Sequence, residues 1–178
     1  VANCDKRKTV SVAFALALLA GCAVQSADRV PWAMSSGLHF VDSVVAADNY
    51  RAEAGGLAMK KSLSSELREF GRVLWEESTE QNSRLKWLLT KTPPGVVLPT
   101  QISPQYMFAI DELLPVSGDA FDRRFIAQQT ASLRESLILA EGYARAGDDF
   151  DLKEFAARSV PRLKMQLDRI HDIEMKLP

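Results

Sequence analysis

Four stretches of the chain repeat one pattern, with apolar side chains three or four positions apart and charged residues between them. That spacing gathers the apolar residues on one face of an α-helix and scatters them over both faces of a strand. In the first stretch, from Ser35 or Ser36 to about Lys61, the pattern runs through Leu38, Val41, Val45 and Ala52. The second, from about Glu66 to Lys91, has the stripe Leu67, Phe70, Leu74, Ser78, Gln81, Leu85 and Leu88, and Thr92-Pro93-Pro94-Gly95 stops it. Ser103-Pro104 opens a short connector helix to about Leu114, with proline at the first helical position. The third long stretch, from about Ala120 to Ala146, carries Phe121, Phe125, Gln129, Leu133, Leu137, Ala140 and Tyr143. After Gly147-Asp148-Asp149 the last runs to about Lys176 with Leu152, Phe155, Ser159, Leu163, Gln166, Ile170, Ile173 and Leu177 inward. No stretch shows strand alternation. The predicted fold is an all-α, antiparallel four-helix bundle with short connections and a connector helix. Pro161 is expected to kink the last helix after Ala157, because it frees the carbonyl four residues back. Gly55-Gly56 predicts a close neighbour along the first helix.

The N-terminus has a different character. Lys6-Arg7-Lys8 precedes an apolar run from Val10 to Leu19, which ends on Leu19-Ala20-Gly21-Cys22. A basic start, a short apolar middle and small residues before a cut point make a secretory signal, and the run is too short to span a bilayer comfortably. The ending resembles the bacterial lipoprotein signal, in which the cysteine thiol takes a diacylglyceryl group and the chain is cut before it. The expected organisation is a signal peptide over 1–21, a lipidated tether over 22–35 and a bundle domain over 36–178. Ala23, where enteric inner-membrane lipoproteins resemble one another in having Asp, favours the outer membrane with the domain facing the periplasm. Residues 1–21 hold three bases and one acid of the chain's 22 bases and 23 acids, so the remainder has a formal charge of −3. A mildly acidic domain argues against a nucleic-acid partner. Cys4 leaves with the signal and Cys22 is used by lipid, so no disulfide is expected.

Specific residues within the helices carry a family resemblance. Gly55-Gly56-Leu57-Ala58, Phe70, Asn82 with Leu85, Phe121-Asp122 with Phe125, and Val160-Pro161-Arg162-Leu163 follow one another. In order and spacing this series resembles the bacterial domain of unknown function numbered 4142, often labelled an outer-membrane protein. The resemblance covers about residues 38–175 and implies a ferritin-like four-helix bundle, an exported protein and no established activity. The family commonly has a Glu in the first helix, Asp-Asp-His in the second, Asp-His in the fourth segment and a His in the last. This chain has Arg51, Glu76-Glu77-Ser78, Ser132-Leu133 and Gln166 there. Serine, leucine and glutamine do not replace imidazole on a transition metal, and Arg51 adds a fixed positive charge. No metal and no cofactor are expected.

Among other candidates, His39 and His171 lie on different helices and read as surface or cap residues. Glu76, Glu77 and Glu80 read as a solvated face paired with Arg72, Arg84 and Lys86 at helical spacing. Asp148-Asp149 reads as a helix cap, since a calcium loop would need the glycine and the closing glutamate. Ser78, Gln81, Gln129, Ser132 and Gln166 stand out as polar residues on or beside apolar stripes. They are predicted to form a polar core layer, which either fixes helix register or lines a pocket for a small ligand. No nucleophile elbow, phosphate loop or dinucleotide glycine pattern occurs. The expected function is non-enzymatic: an anchored envelope lipoprotein with a structural or binding role, meeting the membrane through Cys22 and an envelope protein or small ligand through the bundle. The alternatives are a ferritin-like metal-binding or redox protein and a small-ligand-binding bundle. Lipidation is directly testable. Cys22→Ser is expected to abolish incorporation of labelled palmitate, and equal labelling of the variant and the unaltered chain would contradict it.

Overall fold

The structure, a computed structural model, describes residues 36–91, 98 and 100–177. The signal peptide, Cys22, the tether and the Thr92–Gly95 stop lie outside the described residues. Among the described residues there are five helices: α1 (Ser36–Lys61), α2 (Ser65–Leu89), α3 (Pro104–Leu113), α4 (Gly118–Ala146) and α5 (Phe150–Glu174). Among the described residues there is no strand. The starts of α2 and α5 follow from local chemistry. Ser64 Oγ accepts from Leu67 N–H, and Asp149 Oδ1 accepts from Leu152 N–H at 2.8 Å, so each cap satisfies a donor that helix geometry leaves orphaned. Asp149 is thus the cap its position implied. The α5 helix continues through Pro161 to Glu174.

Side-chain pairings give the topology. In α1, Phe40 stacks on Tyr143 of α4 with ring centroids 4.2 Å apart, and further along α1 Arg51 reaches back to Ser136. These two helices therefore run antiparallel. Glu66 meets Lys176 and Glu77 meets Gln166, so α2 and α5 are antiparallel as well. Since α1–α2 and α4–α5 are hairpins, the order is up, down, down, up, with every neighbouring pair antiparallel. That order requires the chain to travel the length of the bundle between α2 and α4. Residues 90–117 make this crossover, with α3 inside it, so the expectation of short connections fails here. A four-helix bundle with a single long crossover is the ferritin-like arrangement.

The crossover helix is fastened to the bundle by specific contacts. Tyr106 stacks on Tyr50 at 4.7 Å, and Ile110 and Leu113 are buried. Lys61, at the end of α1, donates to the carbonyls of Leu113, Leu114 and Val116, where the last turn of α3 has no backbone partners of its own.

The stripes predicted for α2, α4 and α5 are the buried ones, with Leu88, Leu137 and Leu177 at their margins. The α1 stripe differs. Leu38 is 49% exposed, and the buried face runs instead through Phe40, Val41, Val44, Val45, Asp48, Arg51, Ala54 and Ala58. Because α1 packs on α2, α3 and α4, its buried face is wide and shows no narrow stripe.

Close approach of α1 and α2 depends on one glycine of the Gly55-Gly56 pair. A methyl at Gly55 would overlap Gly71 O of α2, and one at Gly71 would sit 2.7 Å from Gly55 O and 2.8 Å from Ala58 Cβ. Both opposing atoms include rigid backbone, so neither helix yields without opening the interface. A methyl at Gly56 meets nothing within 4 Å. Gly55→Ala is therefore expected to lower the urea midpoint, whereas Gly56→Ala gains helix propensity of up to about 1 kcal/mol and raises it. Equal effects of the two substitutions would contradict this packing.

Candidate functional site

Two apolar clusters fill the bundle. One lies at the α1 N-terminal end around Phe40, Leu85, Tyr143 and Phe155; the other holds Tyr50, Phe70, Leu74, Phe125, Leu133 and Ile170. Between them the long helices contribute polar side chains. Ser78, Gln81, Gln129, Ser132 and Gln166 are all buried, and so are Ser159, Asp48 and Arg51.

The centre of this layer is an ion pair. Asp48 and Arg51, three residues apart on α1, are each 2% exposed, and Arg51 Nη2 lies 2.5 Å from Asp48 Oδ1. Arg51 Nη1 donates to Ser136 Oγ at 2.7 Å and, more weakly, to Ser132 Oγ at 3.4 Å, which ties α1 to α4. Burial raises the Asp48 pKa above its ordinary 3.8, because the cost of removing the carboxylate from water outweighs the opposing pull of Arg51, Arg162 and Ser78. Among the described residues Asp48 Oδ2 has no hydrogen-bond partner of normal geometry. An acid whose folded pKa is raised binds its proton more tightly when folded. The Asp48 contribution is thus most favourable below the unfolded pKa of about 3.9 and declines as pH rises through the raised folded value.

Two branches leave the centre. In one, Gln129 Nε2 donates to Tyr50 Oη and Tyr50 donates to Gln128 Oε1, both at 3.0 Å; Gln128 in turn donates to Ala109 O and Glu112 Oε2 of α3. Burial pushes the Tyr50 phenol up and keeps it a neutral donor. In the other branch, Gln166 Nε2 donates to Glu77 Oε2 at 2.5 Å, and Arg162 Nε lies 3.9 Å from the same oxygen. Burial pulls the Arg162 guanidinium below the usual arginine range, opposed by the charges of Asp48 and Glu77.

The predicted layer is thus partitioned. Ser78 and Ser132 face the ion pair, Gln129 serves Tyr50, and Gln166 serves Glu77. Gln81 makes no hydrogen bond among the described residues. Leu133 is fully buried in the larger apolar cluster. Glu76 and Glu80 form exposed pairs with Arg72 and Arg84, as the helical spacing implied, while Glu77 turns inward. His39 and His171 are exposed, at opposite ends of the bundle. Asp48, Tyr50 and Arg162 went unpredicted. Asp48 had a legible signal: it lies three residues before Arg51 and on the face of Val44 and Val45, where an unpaired charge is costly.

Among the described residues no three His, Cys, Asp or Glu side chains converge in a metal-binding group. The chemistry of the centre, a carboxylate already matched by a permanent cation, suits internal pairing. Arg51→Met is expected to destabilise the bundle by about 3–5 kcal/mol by stranding Asp48, and adding Asp48→Leu is expected to restore most of that loss. Denaturant titration of the two single variants and the double variant measures the coupling; additive losses would contradict a mutually dependent pair.

Comparisons with known proteins agree with this architecture. Two solved structures share the fold. "CopM in the Cu(II)-bound form" superposes with a TM-score of 0.65 at 12% identity, covering 76% of this chain and 93% of that one. "CopM in the Ag-bound form (by co-crystallization)" gives 0.64 at 13% identity, covering 78% and 95%. No curated protein matches. A family model described as "Domain of unknown function (DUF4142)" matches residues 23–173, and the chain belongs to that family.

Proposed function

We propose that this chain is a non-enzymatic protein of the cell envelope, held at the outer membrane by lipid on Cys22, whose bundle has a structural or binding role. The Leu19-Ala20-Gly21-Cys22 ending supports the anchor, and the observation that carries the structural role of the bundle is the buried Arg51–Asp48 pair. Its charge, together with the Ser132 and Ser136 hydroxyls, occupies the part of the core where the family resemblance implies carboxylate and imidazole. In the place of a bound cation, the helices are joined by a guanidinium that cannot lose its charge. Ser78, Leu133 and Gln166 point inward with it and offer no nitrogen ligand fit for a transition metal.

A second reading has one specific support. The two solved structures that share the fold are described by their bound copper and silver. By analogy this chain would hold a soft metal, and outside the core the i,i+4 pair His171 and Met175, both exposed on the last turns of α5, offers an imidazole and a thioether. Metal content after purification without chelator or histidine tag separates the readings. Substoichiometric iron, zinc, manganese and copper are expected in the unaltered chain. The combined variant Arg51→Glu, Ser78→His, Leu133→His and Gln166→His is expected to gain zinc or iron affinity. A near one-to-one metal content surviving dialysis of the unaltered chain would establish the metal-binding reading instead.

A further inference from the structure

The polar contacts joining α2 to α5 lie along only part of their length. Glu66 with Lys176 closes one end, and Glu77 with Gln166 and Arg162 closes the middle. Beyond these, towards the end of α2 and the start of α5, a cleft of about 250 Å³ opens between the two helices. That is room for about eight water molecules, smaller than a drug-sized pocket.

Three features of the lining point to one class of ligand. Gln81 is 4% exposed, lines the cleft, and its amide has no partner among the described residues. The amide nitrogen and oxygen are open to the cleft, where a bound polar group can pair with them directly. Arg162 lines the same cleft with its side chain 23% exposed, and among the described residues the one carboxylate oxygen within 4 Å of its guanidinium, Glu77 Oε2, is 3.9 Å from Nε. Among the described residues its Nη donors make no hydrogen bond, and Asp48 and Glu77 both act on its charge. Leu88, Phe155 and Trp87 supply apolar wall beside these polar groups. The other cations of the lining, Arg84 and Arg158, are held by Glu80 and Glu154 in exposed pairs that bind weakly. Asp151 and Glu154 also line the cleft, so its positive character is concentrated at Arg162.

We propose that this cleft binds a small organic carboxylate with an apolar body, its two oxygens on the Arg162 guanidinium, its polar edge at Gln81 and its body against Leu88 and Phe155. The planar fork of arginine matches a carboxylate bidentately, and the apolar wall distinguishes an organic acid from an inorganic anion. The inference gives the binding role proposed above a site and a ligand class, and it rests on that reading.

Isothermal titration of the full chain in detergent with benzoate, benzamide and inorganic phosphate tests it. Saturable benzoate binding is expected, with benzamide about tenfold to a hundredfold weaker, the range set by a charge-assisted hydrogen bond. Arg162→Gln is expected to weaken benzoate by a similar factor. Because Arg162 also faces Glu77, Gln81→Leu provides an independent variant that removes a polar group without stranding another, and it is expected to weaken benzoate severalfold with helicity unchanged. Equal affinities for benzoate and benzamide, phosphate binding as tight as benzoate, absence of saturable benzoate binding, or no effect of Gln81→Leu would each overturn the proposal. Failure in the cleft with palmitate labelling of Cys22 intact removes the ligand and leaves the anchored bundle; failed labelling with intact cleft binding does the reverse.

Discussion

A guanidinium at the centre of a helical bundle must find its partners inside the protein. Arg51 finds one carboxylate three residues earlier on its own helix and two hydroxyls on the facing helix. The first contact neutralises the charge within α1, and the second fixes which turn of α4 lies opposite. A one-residue rotation of either helix would remove Ser132 and Ser136 from reach and leave a buried cation short of acceptors, a penalty of several kcal/mol. Apolar burial is non-directional, whereas the hydrogen bonds of the polar layer require one register. The two hydrophobic clusters therefore supply most of the driving force, and the ion pair with its branches selects the arrangement.

The same layer accounts for the asymmetry of the bundle. The α1–α2 interface is drawn tight by Gly55 against Gly71, and α1 meets α4 through hydrogen bonds and stacked rings. The α2–α5 side lacks both a glycine contact and a continuous apolar seam. Its polar residues, Gln81, Ser159 and Arg162, hold the helices apart where Phe155 and Leu88 alone would draw them together. The crossover helix α3 covers the opposite face, so Tyr50 lies under Tyr106 while the α2–α5 face stays open. Fold and candidate site thus arise from one distribution of polar residues among otherwise apolar stripes.

Much of this was legible in the residues. Helix limits agree to within two or three positions, because Ser64, Pro104, Gly147 and Asp149 have strong local preferences that tertiary packing does not override. The inward polar residues were legible too, since Ser78, Gln129 and Gln166 interrupt stripes of large apolar neighbours. The topology was harder to read. Stripe periodicity shows that a helix has a buried face but says nothing of its direction, and only the length of the 90–117 segment hinted that α2 and α4 run the same way. The wide buried face of α1 hid its true stripe, and Asp48 went with it. Arg162 escaped because it stands beside Pro161 in a stretch defined by leucine and proline, and because arginine on a helix is usually a surface residue. Its partly buried environment comes from Asp48 and Glu77 on two other helices, a convergence no local pattern encodes.

The central claim is that Arg51 is a fixed, charged structural element of the core. Nitrogen-15 nuclear magnetic resonance of the arginine guanidinium groups tests it most directly. A buried guanidinium held through Nη2 by Asp48 and through Nη1 by Ser136 is expected to show separate, slowly exchanging Nη signals for Arg51, unchanged on addition of copper or zinc. A single averaged Nη signal exchanging as fast as those of exposed arginines, or a shift of that signal with one equivalent of metal, would contradict the account.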